Sequence, residues 1–220
     1  MAAMNFKWLP NALTIARCLF AGFVLVGFWQ AMSLDLTLTG LSPEEMSRRA
    51  TLQQLWYQFA FFAFLAGALT DFLDGWLARR LDAHSRFGVW LDPIADKLLI
   101  AAALLGLALE FRTWLIYIPA AMIIARDVFM TWFRATARGR SVVVPSSLAK
   151  WKTGFEMAAI IGLILPLAVL RMDAGEPLTD GSPVLAIVAT VAVVGLLWVA
   201  AALSWLTAGQ YMKAAGTESR

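Results

Sequence analysis

The chain has 220 residues, 60% of them hydrophobic and 15% charged, with ten tryptophans and a formal net charge of +3. With a mean hydropathy of +0.71, this composition belongs among integral membrane proteins, and so slight a positive charge does not argue for nucleic acid. The one cysteine, Cys18, excludes an intrachain disulfide and lies in an apolar run, where it reads as packing.

Residues 2–8, with Phe6, Lys7 and Trp8, mix apolar and basic character and suit a short N-terminal interfacial helix. The first span is expected over about 10–32, with Pro10 placed at a helix start. No cleavable signal peptide is expected, because this apolar run is too long and no small-residue cleavage site follows it. Within 34–51, Ser42-Pro43-Glu44-Glu45 reads as an N-cap, a proline at the first helical position and acids in the first turn. That pattern would start a short surface helix. Further spans of roughly 20 residues or more are expected over 52–80, 88–109, 113–136, 151–170 and 183–211. The expected fold is all-α: one membrane domain over 1–220, an integral membrane bundle of six transmembrane helices.

Orientation follows from the 18 Lys and Arg residues. With a cytoplasmic N-terminus, eleven of them (Lys7, Arg79, Arg80, Arg86, Arg134, Arg138, Arg140, Lys150, Lys152, Lys213 and Arg220) lie at the inner edge. Four lie outside: Arg48, Arg49, Arg112 and Arg171. Arg17, Lys97 and Arg126 fall within spans. The positive-inside rule therefore puts both termini in the cytoplasm.

The segment 71-DFLDGWLARRLDAHSRFGVWLDPIAD-96 carries four aspartates in two helical pairs. Asp71 and Asp74 are spaced i, i+3, and Asp92 and Asp96 are spaced i, i+4, so each pair projects from one face of its helix. Ionisable residues are costly at membrane depth and mark function by default. A single such acid is often an ordinary partner for arginine, and Arg79, Arg80 and Arg86 are close by. Four in register would repel one another, and a hard divalent cation resolves that repulsion, because all-oxygen sites suit Mg²⁺, Mn²⁺ or Ca²⁺. The segment thus reads as a carboxylate metal site for two ions. Gly75 has no side chain to keep a ligand from the helix, and Ala78 keeps the same wall low.

The run Asp71-x2-Asp74-Gly75-x2-Ala78-Arg79-x8-Gly88-x3-Asp92-x3-Asp96 resembles the signature of the CDP-alcohol phosphotransferases, with every fixed position present. The stretches 7-KWLPNALTIAR-17, 125-ARDVFMTWFRA-135 and 149-AKWKTGFE-156 extend the similarity over nearly the whole chain in order. They look most like the bacterial branch that makes phosphatidylglycerol phosphate. The departures, 34–51 and 171–182, do not touch the motif.

The resemblance implies Mg²⁺ or Mn²⁺ held by Asp71, Asp74, Asp92 and Asp96, with Asp96 also the base for the attacking hydroxyl. It implies a CDP-diacylglycerol pocket built from Asn11, Thr14, Gly75, Ala78, Arg79 and Ser85. It further implies sn-glycerol 3-phosphate as acceptor, CMP as leaving group, a homodimer, and a site opening to the cytoplasmic side of the bacterial inner membrane. Arg126, Lys150 and Lys152 are the candidates for the acceptor's phosphate, since cations at that depth need a partner. Snorkelling to lipid headgroups competes for the lysines, and an ion pair with Asp127 competes for Arg126. Asn11 reads equally as a plain helix-start residue. Other acceptors (inositol phosphate, serine, phosphatidylglycerol) would leave the aspartates unchanged. An ion or proton transporter would have no use for Gly75, Ala78 and Gly88 at these spacings, and no inverted repeat is visible.

Overall fold

The computed structural model describes the backbone of residues 9–34, 36, 40–81, 86–135, 147–169 and 183–217, with side chains at 12–34, 36, 40–71, 73, 94–133, 151–169 and 184–215. Those residues form six α-helices: α1 (Leu9–Ser33), α2 (Pro43–Leu81), α3 (Arg86–Phe111), α4 (Trp114–Ala135), α5 (Ser147–Val169) and α6 (Pro183–Thr217). No strand occurs among the described residues. The expected interfacial segment 2–8 and the divergent stretch 171–182 lie outside them. Among the described residues, four stretches are long and apolar enough to cross a bilayer: Ala12–Ser33, Trp114–Phe133, Trp151–Val169 and Val184–Ala215.

The expected short surface helix differs from what forms. Pro43 opens α2 itself, which runs unbroken for 39 residues. Ser42 is its cap: the Ser42 amide donates to Glu45 Oε2 at 3.0 Å, and the Glu45 amide donates to Ser42 Oγ at 3.2 Å. This reciprocal pair satisfies two amides that a helix start leaves orphaned. The bonds from Ser42 hold the exposed Glu45 carboxyl below its usual range. Nothing after Glu45 stops the helix, so the cap serves the long helix. At about 1.5 Å per residue α2 far exceeds a hydrocarbon core of roughly 30 Å.

The chain divides into two compact units, Met1–Glu110 with Ile164–Leu178, and Phe111–Leu163 with Thr179–Arg220. In the first, α1 packs along α2. Gly27 permits that approach: a Cβ there would lie 2.8 Å from Ala60 Cβ and 3.0 Å from the Trp56 carbonyl oxygen. A side chain on Gly67 would lie 2.7 Å from Leu99 Cδ2 and 3.3 Å from Phe20 Cβ, so α1, α2 and α3 close on one another there. Small residues at such crossings let helix backbones meet where no hydrophobic drive exists between helices. Glutamines on α2 finish neighbouring helix ends. Gln53 Nε2 donates to the Ala31 carbonyl at 3.1 Å and Gln58 Nε2 to the Ala168 carbonyl at 3.0 Å. The ends of α1 and α5 therefore lie beside the beginning of α2.

In the second unit α4 packs along α6. Pro119 lies inside α4 and has no N–H for the carbonyl of Leu115, four residues back. Trp198 Nε1 donates to that carbonyl at 3.0 Å. One heptad on, Trp205 Nε1 donates to the Met122 carbonyl at 3.1 Å. The two bonds advance together along both helices, so α4 and α6 run parallel. Outward, Val184, Leu185, Ile187 and Val191 are each more than 60% exposed. That apolar exterior suits lipid, not water.

Gly27→Ala is expected to cost about 1–3 kcal/mol, because its neighbours are backbone and a Cβ that cannot swing aside. Gly22→Ala, with nothing within 4 Å, is expected to be neutral or to stabilise by up to about 1 kcal/mol. Thermal unfolding of both variants in detergent checks this contrast. Equal midpoints would remove the close-approach role of Gly27.

Candidate active site

α2 ends at Leu81 and α3 begins at Arg86, so four residues separate the two helices. Asp71 stands ten residues before the end of α2 and Asp96 ten residues after the start of α3. At 1.5 Å per residue both sit about 15 Å from the facing helix ends. Asp74 and Asp92, seven and six residues from those ends, sit at about 10 Å on the same reckoning. The contact between Gly67 and Leu99 fixes this register from beyond the site, four residues before Asp71 and three after Asp96. Two helices thus carry the four acids at two matching levels.

The Asp71 side chain is 48% exposed and Asp96 is partly exposed. The side chains of Asp74 and Asp92 lie outside the described residues, and among those described no three His, Cys, Asp or Glu gather around a metal position. The donor chemistry of the acids fits a hard divalent cation, since they offer only oxygen and Asp71 is open to a ligand. Asn11, Gly75, Ala78, Arg79 and Lys150 fall on described helix backbone, at the start of α1, near the end of α2 and at the start of α5. Their side chains, and the whole of Ser85, lie outside the described residues. Thr14 is fully buried on α1.

Below Asp71 lies a residue that the sequence marked only as falling within a span. Arg17 on α1 is 1% exposed, and its Nη1 sits 2.9 Å from Asp71 Oδ1. A guanidinium stays ionised in proteins, so its burial demands an acid on a neighbouring helix. That demand was legible in the sequence; which acid met it was not.

A second charged cluster occupies the other unit. Arg126 donates from Nε to the Ser204 carbonyl at 3.0 Å, from Nη1 to Asp127 Oδ1 at 2.8 Å, and from Nη2 to Thr207 Oγ1 at 3.2 Å. It thereby ties α4 to α6. Lys152 Nζ lies 3.5 Å from the same Asp127 oxygen and 3.2 Å from Glu156 Oε2. All four residues are buried, Glu156 completely. Among the described residues the cluster holds two cations and two anions, whose formal charges cancel. Glu156 escaped the sequence reading, although its i, i+4 spacing from Lys152 within an apolar span was the available signal.

Residues 7–209 match the family model for CDP-alcohol phosphatidyltransferase. The chain belongs to that family, whose members are in general dependent on a divalent metal. Among curated relatives it is similar to the CDP-diacylglycerol–glycerol-3-phosphate 3-phosphatidyltransferase of Yersinia pestis, 35% identical over 158 residues, which cover 70% of this chain and 77% of the relative. The enzyme of the same name from Sodalis glossinidius is 42% identical over 104 residues, covering 46% and 57%. The chloroplastic/mitochondrial form from Arabidopsis thaliana is 35% identical over 163 residues, covering 68% and 50%.

Removing one member of the buried cluster should cost more than removing an opposed pair. Glu156→Gln leaves the Lys152 ammonium short of a counter-charge and is expected to destabilise by about 3 kcal/mol. Lys152→Met combined with Glu156→Leu should recover most of that loss, because a neutral apolar pair needs no compensation. Unfolding midpoints in one detergent read both effects. A double variant no more stable than Glu156→Gln would contradict the pairing.

Proposed function

We propose that this chain is a CDP-diacylglycerol–glycerol-3-phosphate 3-phosphatidyltransferase, moving the phosphatidyl group of CDP-diacylglycerol to sn-glycerol 3-phosphate with release of CMP. The observation that carries this reading is family membership across 7–209 together with two aspartate pairs set level on α2 and α3. The named relatives supply the acceptor.

Asp71, Asp74, Asp92 and Asp96 hold two divalent ions, Mg²⁺ or Mn²⁺, which when bound offset charge on the diphosphate. Arg79 grips diphosphate oxygens with its guanidinium fork. Gly75 and Ala78 leave room for the cytidine diphosphate group along α2, with Asn11, Thr14 and Ser85 around the nucleotide. Asp96 takes the proton of the attacking hydroxyl while that oxygen bonds to the phosphorus bearing the diacylglycerol. The bond from that phosphorus to the bridging oxygen breaks, and CMP leaves with the electron pair. A carboxylate is a weak base for an alcohol, so it helps most when the transfer is late. Lys150, Lys152 and Arg126 meet the acceptor's phosphate.

The protein would work in the bacterial cytoplasmic membrane as one membrane domain with six spans, as a homodimer, with both termini and the site on the cytoplasmic side. The excess of Lys and Arg at that edge supports the orientation. The junction of the α1 and α5 ends with the start of α2 supports the alternation of spans.

The test is CMP release by purified protein with CDP-diacylglycerol, Mn²⁺ and a panel of acceptors. Glycerol 3-phosphate should support turnover, while serine, inositol phosphate and phosphatidylglycerol should not. Excess chelator should abolish it, and Asp96→Asn should lower it by about 10²–10⁴-fold. Turnover with a different acceptor would move the chain to another branch of its family, and full activity in chelator would end the metal reading.

A further inference from the structure

The contact between Arg17 and Asp71 is asymmetric. The guanidinium is 1% exposed while the carboxylate is 48% exposed, although their atoms are 2.9 Å apart. The arginine is therefore enclosed in the first unit, and the aspartate reaches from that interior to an open side. A carboxylate has two oxygens, and Arg17 holds Oδ1 from within. About one helical turn from the pair the helices are packed closely: Phe20, three residues after Arg17, and Leu99 on α3 both close on Gly67, four residues before Asp71.

We propose that Arg17 is a positioning residue for Asp71, fixing the orientation of its carboxylate from the buried side so that the other oxygen is aimed at a divalent cation. This inference rests on the metal reading above. The physical reason is general: carboxylates that bind metals are themselves held by partners, and loss of such a partner weakens metal binding about 10- to 100-fold. Arginine suits the task better than lysine because its planar fork constrains direction as well as charge. The rival is an arginine that acts only through its charge. By Coulomb's law, a cation a few ångströms from a metal site opposes the metal, so its removal would tighten binding. The two accounts predict opposite signs.

The test measures binding, not turnover. Free Mn²⁺ is followed by electron paramagnetic resonance during titration of full-length protein in detergent, without nucleotide. Arg17→Gln should weaken Mn²⁺ binding by about 10- to 100-fold, and Arg17→Lys should fall between it and the wild type. Undiminished or tighter binding by Arg17→Gln would overturn the inference while leaving the metal reading intact. A wild-type protein that takes up no Mn²⁺ would overturn both.

Thermal unfolding in excess chelator adds a readout independent of metal. Asp71→Asn should lower the midpoint, because it leaves the Arg17 charge buried without this partner, and Arg17→Gln with Asp71→Asn should restore most of it. Asp74→Asn is the control on the same helix and should leave the midpoint near wild type. If Asp71→Asn and Asp74→Asn were equally stable in chelator, the Arg17–Asp71 coupling would be absent and the proposal would fall.

Discussion

An ionised side chain inside an apolar bundle must carry its own compensation, and this constraint explains most of what is specific about the molecule. Each described buried cation has an acid within 3.5 Å: Arg17 has Asp71, Arg126 has Asp127, and Lys152 has both Asp127 and Glu156. The clusters differ in one respect. The Arg126 cluster is buried throughout, and its arginine ties α4 to α6. The Arg17 pair is half open, because Asp71 is 48% exposed. An acid exposed in this way can be shared with a ligand.

The helices that carry these charges are placed by features with no charge at all. Gly27 lets the backbones of α1 and α2 approach to contact distance, Gly67 makes room for the Leu99 side chain, and the glutamines of α2 complete the ends of α1 and α5. Trp198 completes the carbonyl that Pro119 leaves without a donor. Each device removes an unsatisfied polar group or a steric block that lipid cannot relieve. The aspartates of the motif then inherit their register from the packing at Gly67 and Leu99, a turn away.

Helix positions were legible because long apolar stretches between charged turns permit little else. The boundaries expected at 10–32, 88–109 and 113–136 fall within two residues of α1, α3 and α4. The error at α2 was physical. A cap and acidic first turn announce where a helix starts, but nothing in Ser42–Glu45 says how far it runs. Among the described residues, stretches of α1, α4, α5 and α6 are long and apolar enough to cross a membrane. Polar residues stand inside the described parts of the other two helices: Gln53, Gln54 and Gln58 in α2, and Asp96, Lys97 and Glu110 in α3. The aspartate motif was readable from spacing, because helix period converts i, i+3 and i, i+4 into shared faces. The partners of Arg17 and Lys152 on other helices were not, because sequence separation hides tertiary pairing.

In the proposed site, α2 and α3 present four carboxylates to divalent ions, with Arg17 fixing one of them from behind. Crystals grown with Mn²⁺ and CDP-diacylglycerol, and measured for manganese anomalous scattering, test that directly. The account predicts manganese between α2 and α3, bound by oxygens of Asp71, Asp74, Asp92 and Asp96, with Arg17 on the Asp71 oxygen turned away from the metal. Manganese bound elsewhere, or an Asp71 carboxylate spent on Arg17 through both oxygens, would contradict it.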